Sequence, residues 1–240
     1  QNAGADAYNV AIGYDSGLSI STGTLNTIVG GLAGDALTTG AQNTAIGHEA
    51  LSTEDTGARN TAIGEGSLKT LNFDGNGYNV AVGYNSGHLI STGVNNTIIG
   101  SLAGDALTTG SNNVAIGKGA LSTEDANGYN VAIGHQTLKV QNAGSDAYNV
   151  AVGYDAGVSV TTGVNNTLVG SFSGDALTTG VSNVALGYAA LSSAQTSNYN
   201  TAIGERALHS NVNSNRNTAV GFQALYSHTT GSATDSYNTA

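Results

Sequence analysis

The chain has 240 residues and a net charge of -10, yet only 9% of its residues are charged, against about 25% in a typical globular domain. It holds no Pro, Cys, Met or Trp, which excludes disulfide frameworks and thiolate metal sites. Six basic residues that do not cluster argue against nucleic acid, the acidic balance opposes anionic lipid, and no apolar run reaches the length of a membrane span.

Read from the N-terminus, one pentad recurs: Asn, then Thr or Val, a small or apolar residue, then Ile, Val or Leu, and Gly. It opens at Asn9, Asn26, Asn43, Asn60, Asn79, Asn96, Asn113, Asn130, Asn149, Asn166, Asn183, Asn200 and Asn217. It closes at Gly13, Gly30, Gly47, Gly64, Gly83, Gly100, Gly117, Gly134, Gly153, Gly170, Gly187, Gly204 and Gly221. A further copy begins at Asn238. The spacing is 17, 17, 17, 19, repeated once, then 17 four times and finally 21. Three coils of 17 and one of 19 make 70 residues, the interval at which Gly-Asp-Ala-Leu-Thr-Thr-Gly returns at 34–40, 104–110 and 174–180. Four-coil blocks therefore run at about 9–78, 79–148 and 149–237, the last with 17 where 19 is due. Residues 1–240 read as a single continuous repeat region, a fragment of a longer chain.

Each coil carries a second apolar segment after the pentad. It reads Ala-Leu early, as in Ala50-Leu51 and Ala120-Leu121, or it has Gly there and the apolar residue three places later, as with Gly17 and Ile20 or Gly34 and Leu37. Short segments bounded by Gly and Asn predict strands rather than helices, because frequent Gly weakens a helix but supplies the positive φ of tight turns. Two short strands per 17-residue coil predict an all-β parallel solenoid, a β-roll of about 14 coils. At about 4.8 Å per rung this is a rod about 65 Å long.

Strand residues alternate between faces. Thr27 and Val29 share one face and Ile28 takes the other; the third pentad position is otherwise Ala, apart from Ile98 and Leu168. Both faces are apolar or small, so both are expected to be buried. A solenoid has one interior, and the small third position is expected to admit the backbone of a partner chain. The recurrent Asn is read as a hydrogen-bonded ladder.

Asn43–Leu51, NTAIGHEAL, and Asn217–Leu225, NTAVGFQAL, carry a resemblance over essentially the whole chain. They resemble the repeats of YadA-like trimeric autotransporter adhesin heads and of phage and viral tail-fibre proteins. That resemblance implies a homotrimer of parallel β-rolls without enzymatic activity. The coil length and the Thr-Ala-Ile-Gly wording look closer to the viral fibres, which implies a virion-surface segment projecting or supporting host-receptor attachment. The alternative is a bacterial surface adhesin head that binds matrix or glycan. The implied partners are the chain itself and a host cell-surface glycan or protein.

Little else suggests chemistry, and no catalytic group, cofactor or metal is expected. His48, His88, His135, His209 and His228 share no ligand spacing. Asp74-Gly75-Asn76-Gly77-Tyr78 resembles a calcium loop but lacks the terminal bidentate Glu, so it is read as an insertion. Glu54-Asp55 and Glu124-Asp125 are read as solvated edges, and Asp35, Asp105 and Asp175 as outward acids. Six tyrosines precede a ladder Asn: Tyr8, Tyr78, Tyr129, Tyr148, Tyr199 and Tyr237. Tyr14, Tyr84, Tyr154 and Tyr188 follow the pentad Gly and are candidate receptor contacts, with packing across coil corners the other reading. An ice-binding solenoid is disfavoured because the second pentad position mixes Thr with Val and is expected to be buried. A polysaccharide-cleaving tailspike is disfavoured because the acids do not cluster.

Overall fold

The computed structural model describes residues 6–227 and 234–240. His228 lies outside them. The chain divides into two compact units, Gln1–Lys118 and Gly119–Ala240, and each is an all-β parallel solenoid.

In the first unit, β1 (Val10–Ile12), β2 (Thr27–Val29), β3 (Thr44–Ile46), β4 (Thr61–Ile63), β5 (Val80–Val82), β6 (Thr97–Ile99) and β7 (Val114–Ile116) pair in chain order. Every pairing is parallel and in register, Thr27 on Thr44 and Ile28 on Ala45 for example. The second unit repeats this with β8 (Val131–Ile133), β9 (Val150–Val152), β10 (Thr167–Val169), β11 (Val184–Leu186) and β12 (Thr201–Ile203). There β13 (Ser214–Asn215) pairs with β15 (Thr234–Asp235), and β14 (Thr218–Val220) continues the main sheet.

The second apolar segment of the coil, expected as a strand, is a run of turns. Its path needs left-handed residues that a strand does not have: Leu32 at φ 58° and Gly34 at 48°, or Glu49 at 55° and Leu51 at 54°. It is nevertheless bonded rung to rung. Gly17 N–H donates to Ala33 O at 3.0 Å, and Gly34 N–H to Ala50 O at 2.9 Å. The coil therefore has one strand side and one turn side, both stitched to the next coil.

The core lies between those two sides. The third strand position, expected to meet a partner chain, instead points into the coil: Ile28, Ala45, Ala62, Ala81, Ile98 and Ala115 are all fully buried. Leu51, Leu68 and Leu121 reach in from the turn side, as do Leu37, Leu71 and Leu107 from further along it. Small and large residues alternate across this narrow interior. Where Gly104 leaves the turn side open, Ile98 fills the space, and a Cβ on Gly104 would lie 2.8 Å from Ile98 Cδ1. Each buried Leu or Ile contributes about 1.5–3 kcal/mol. The same exchange recurs at the first Gly of each Gly-Asp-Ala-Leu-Thr-Thr-Gly, with Ile28 against Gly34, Ile98 against Gly104 and Leu168 against Gly174.

Candidate interaction face

The strand triplets build one uncovered surface in each unit. Because the third position turns inward, the second and fourth turn out. In the first unit Thr27, Thr44, Thr61, Val80, Thr97 and Val114 form one column. Val29, Ile46, Ile63, Val82, Ile99 and Ile116 form the other, and all are half-exposed or exposed. Half-exposure is what an open sheet face shows, since rung neighbours about 4.8 Å away shield the flanks of each side chain. In the second unit Leu186 and Val220 are the most open members, at 46% and 57%. The expected burial of this second position does not hold within the chain. The ground on which an ice-binding surface was disfavoured therefore weakens, although the alternation of Thr with Val stands.

No charged residue lies on either column. All members except Leu186 are β-branched, with restricted χ1, so docking against them costs little side-chain entropy. The patch in the first unit is about 29 Å by 10 Å, on the order of 300 Å². A patch of that size is comparable to the largest apolar patch on a typical monomer, about 300–600 Å², which makes this face the candidate for an interaction.

Behind this face runs the Asn ladder. In the first unit Asn43 N–H donates to Asn26 Oδ1 and Asn60 N–H to Asn43 Oδ1, both at 2.9 Å. Asn96 bridges three groups: its Nδ2 donates to Gly110 O at 2.9 Å, and its Oδ1 accepts Asn113 N–H at 2.9 Å and its own N–H bonds Asn79 Oδ1 at 3.0 Å. The second unit shows the same geometry, with Asn166 N–H on Asn149 Oδ1 at 2.8 Å and Asn183 N–H on Asn166 Oδ1 at 3.0 Å. The side chains are buried from Asn26 through Asn217; Asn9, in the first coil, is not. The pentad glycines stack beside them, Gly100 at φ 133° against the backbone of Gly117.

Aromatic columns flank the strand face. Tyr14, Tyr84, Tyr154 and Tyr188 are exposed, but in the second unit the rings engage one another. His135 stacks on Tyr154 at 4.9 Å and pairs with Asp155 at 3.2 Å. Phe172 bridges edge-on to Tyr154 and Tyr188, and the Arg206 guanidinium caps Tyr188. On the other flank Tyr129 stacks on Tyr148, Arg59 covers Tyr78, and Arg216 lies between Tyr199 and Tyr237. Rings whose faces are taken by neighbours serve packing along the edge rather than as free stacking platforms.

The chain matches no protein-family model and no curated protein.

The acids differ from their sequence reading. Glu54 and Glu124 are fully buried, not solvated. Asp35, Asp105 and Asp175 are half-buried, and each has one carboxyl oxygen sealed from solvent without a hydrogen-bond partner. In all five, burial is the largest influence and pushes the carboxyl above its ordinary range. Asp15 and Glu49 add to this at Asp35, and Asp55 and Asp125 add to it at Glu54 and Glu124. Backbone N–H groups oppose it. Among the described residues no three His, Asp or Glu side chains gather as a metal site.

A raised carboxyl binds its proton more tightly in the folded chain than in the unfolded one. Stability therefore rises as pH falls through the folded value and levels off below the unfolded value. Thermal melts should give a Tm that rises as pH is lowered from 7 toward the ordinary carboxyl values of 3.8 and 4.5. A Tm that falls over this window would contradict the burial of these carboxylates.

Proposed function

We propose that the chain is a structural, non-enzymatic segment of a homotrimeric fibre on the surface of a virus particle, projecting or supporting a host-attachment tip. The observation that carries this reading is the uncharged, β-branched outward sheet face. On a chain of net charge -10, like charges repel wherever other faces meet, so this face is where copies associate most favourably. A repeating face also repeats its contact at every rung, which suits closed symmetric assembly. Stacked, hydrogen-bonded coils supply stiffness, and three chains at a tip supply avidity without a tight single site. The resemblance of the pentad and Ala-Leu wording to viral fibre repeats supports the setting.

The reading of a bacterial surface adhesin head draws on the exposed tyrosines beside the face; glycan-array binding by the repeat region itself, lost on Tyr84→Ala, would favour it. Light scattering tests assembly: the expected mass is three times that of the chain, and a monomer at micromolar concentration would overturn the fibre reading. The pair Ile63→Glu and Val82→Glu should return the mass to one chain while the far-ultraviolet spectrum stays the same.

A further inference from the structure

The corners of several 17-residue coils close in one way. Ser21 and Gly23 N–H donate to Thr38 O at 3.0 and 3.1 Å, and Thr38 N–H donates to Asp55 O at 2.7 Å. Ser91 N–H takes Thr108 O, and Thr161 and Gly163 N–H take Thr178 O. In these coils the acceptor is the carbonyl twelve residues after the next coil's Asn (38 from 26, 55 from 43, 108 from 96, 178 from 166). The coil at Asn60 carries a two-residue insertion at this corner, after Asn72, whose N–H still donates to Ser91 O at 2.8 Å.

At the coil before such an insertion, a side chain supplies the acceptor. Glu54 sits in the inner column that elsewhere in its unit holds Ile20, Leu37, Leu71, Ile90 and Leu107. Its Oε1 accepts Gly57 N–H at 2.7 Å and Asp55 N–H at 3.1 Å, and its Oε2 reaches the longer coil to accept Phe73 N–H at 3.2 Å. A Cβ at residue 57 would overlap this carboxyl, whereas beside Glu124 the same place is taken by Asn127. The Asn ladder adjusts too: Asn60 Nδ2 turns to Ala58 O at 3.2 Å. In the second unit Glu124 Oε1 accepts the Asn127 side chain at 2.7 Å and its backbone N–H at 3.3 Å. A buried carboxylate is costly unless hydrogen-bonded: Glu54 has donors on both oxygens, whereas Glu124 has them on Oε1 and its Oε2 is sealed from solvent without a partner.

The column also matches the coil lengths. Glu54 precedes the 19-residue coil at Asn60 and Glu124 the one at Asn130; Asn211, before the 21-residue coil at Asn217, instead donates to Ser214 O at 3.1 Å, and its Oδ1 has no partner. In the third block Ala194 holds the place of the acid, and the coil that follows has 17 residues where 19 was due. Gln141 is polar as well, but its Oε1 accepts from the ladder Asn149 at 2.9 Å.

We infer that Glu54 and Glu124 are positioning residues for the lengthened coils: each supplies the acceptor that a backbone carbonyl supplies at other corners and lets the next coil carry two extra residues there. The corner is thus a built-in place for loops of variable length, and this holds whatever the fibre reading's fate.

A double-mutant cycle on the whole 240-residue chain tests it. Glu54→Leu is made in the native chain and in one whose residues 72–77 are replaced by the four-residue corner 38–41. The expected result is a lowered Tm in the native chain and an unchanged or raised Tm with the short corner. In the native chain, hydrogen exchange at the Gly57 amide should quicken by about tenfold or more, as a lost charge-assisted bond requires. If the native background fails to fold with Leu, Glu54→Gln keeps an acceptor and should fold, with Gly57 exchange between the two. Equal Tm loss in both backgrounds, failure of both to fold, or unchanged Gly57 exchange would overturn the inference.

Discussion

Alanine at position 100 is expected to destabilise its unit more than any surface substitution. Gly100 has φ 133°, and a Cβ there would sit 2.7 Å from the carbonyl carbon and oxygen of Gly117. That contact is with backbone, so no rotamer change relieves it, and the two coils must part. The positive φ costs about 1–3 kcal/mol for a residue with a side chain, and forced separation of packed coils adds about 1–3 kcal/mol. A midpoint shift in urea matching about 2–6 kcal/mol is expected. A loss below 1 kcal/mol would mean that the coils are spaced more loosely than the Gly column implies. Thr97→Val, three residues away on the outward face, is the control and should change little.

The second large effect belongs to Asn96. Alanine there leaves the Gly110 carbonyl and the Asn113 amide without the side-chain partners at 2.9 Å that they now have. Each buried polar group left unpaired costs about 1–3 kcal/mol, so a loss of about 2–6 kcal/mol is expected. Asn96→Asp separates the two halves of the effect. Its carboxylate still accepts from Asn113 but has no N–H for Gly110 O, and burial of the charge adds a penalty. Denaturant titration of both variants should therefore find Asp no better than Ala, and a near-native Asp variant would contradict the donor role assigned to Nδ2.

Much of this architecture was legible because its period is short. The pentad spacing gives the coil, and the register of every strand pair in both units follows from aligning one Asn on the next. The Asn and Gly columns could be named from the sequence because each position admits so few side chains. The turn side was harder. Leu32, Leu51 and Leu121 adopt left-handed conformations that their residue type disfavours, so local preference suggested an extended segment where the stacked neighbours impose a turn. Face assignment failed for a different reason. With apolar residues on both sides of each triplet, alternation cannot say which side is the interior. Only the Leu residues arriving from the turn side decide that the Ala of each triplet lies within. Glu54 and Glu124 were misread because charge usually means solvent. The clue was positional, since each occupies the column of Leu37 and Ile90.

The Asn ladder has a direction. Each Oδ1 accepts from the coil that follows it, so a finished coil presents a ready acceptor to the segment next in the chain. Contacts join residues about one coil apart, and such neighbour-only coupling lets order spread from rung to rung once a few have formed. Growth by templating of this kind also confines damage: a broken rung acts as a crack that separates two still-ordered stacks, rather than melting the whole.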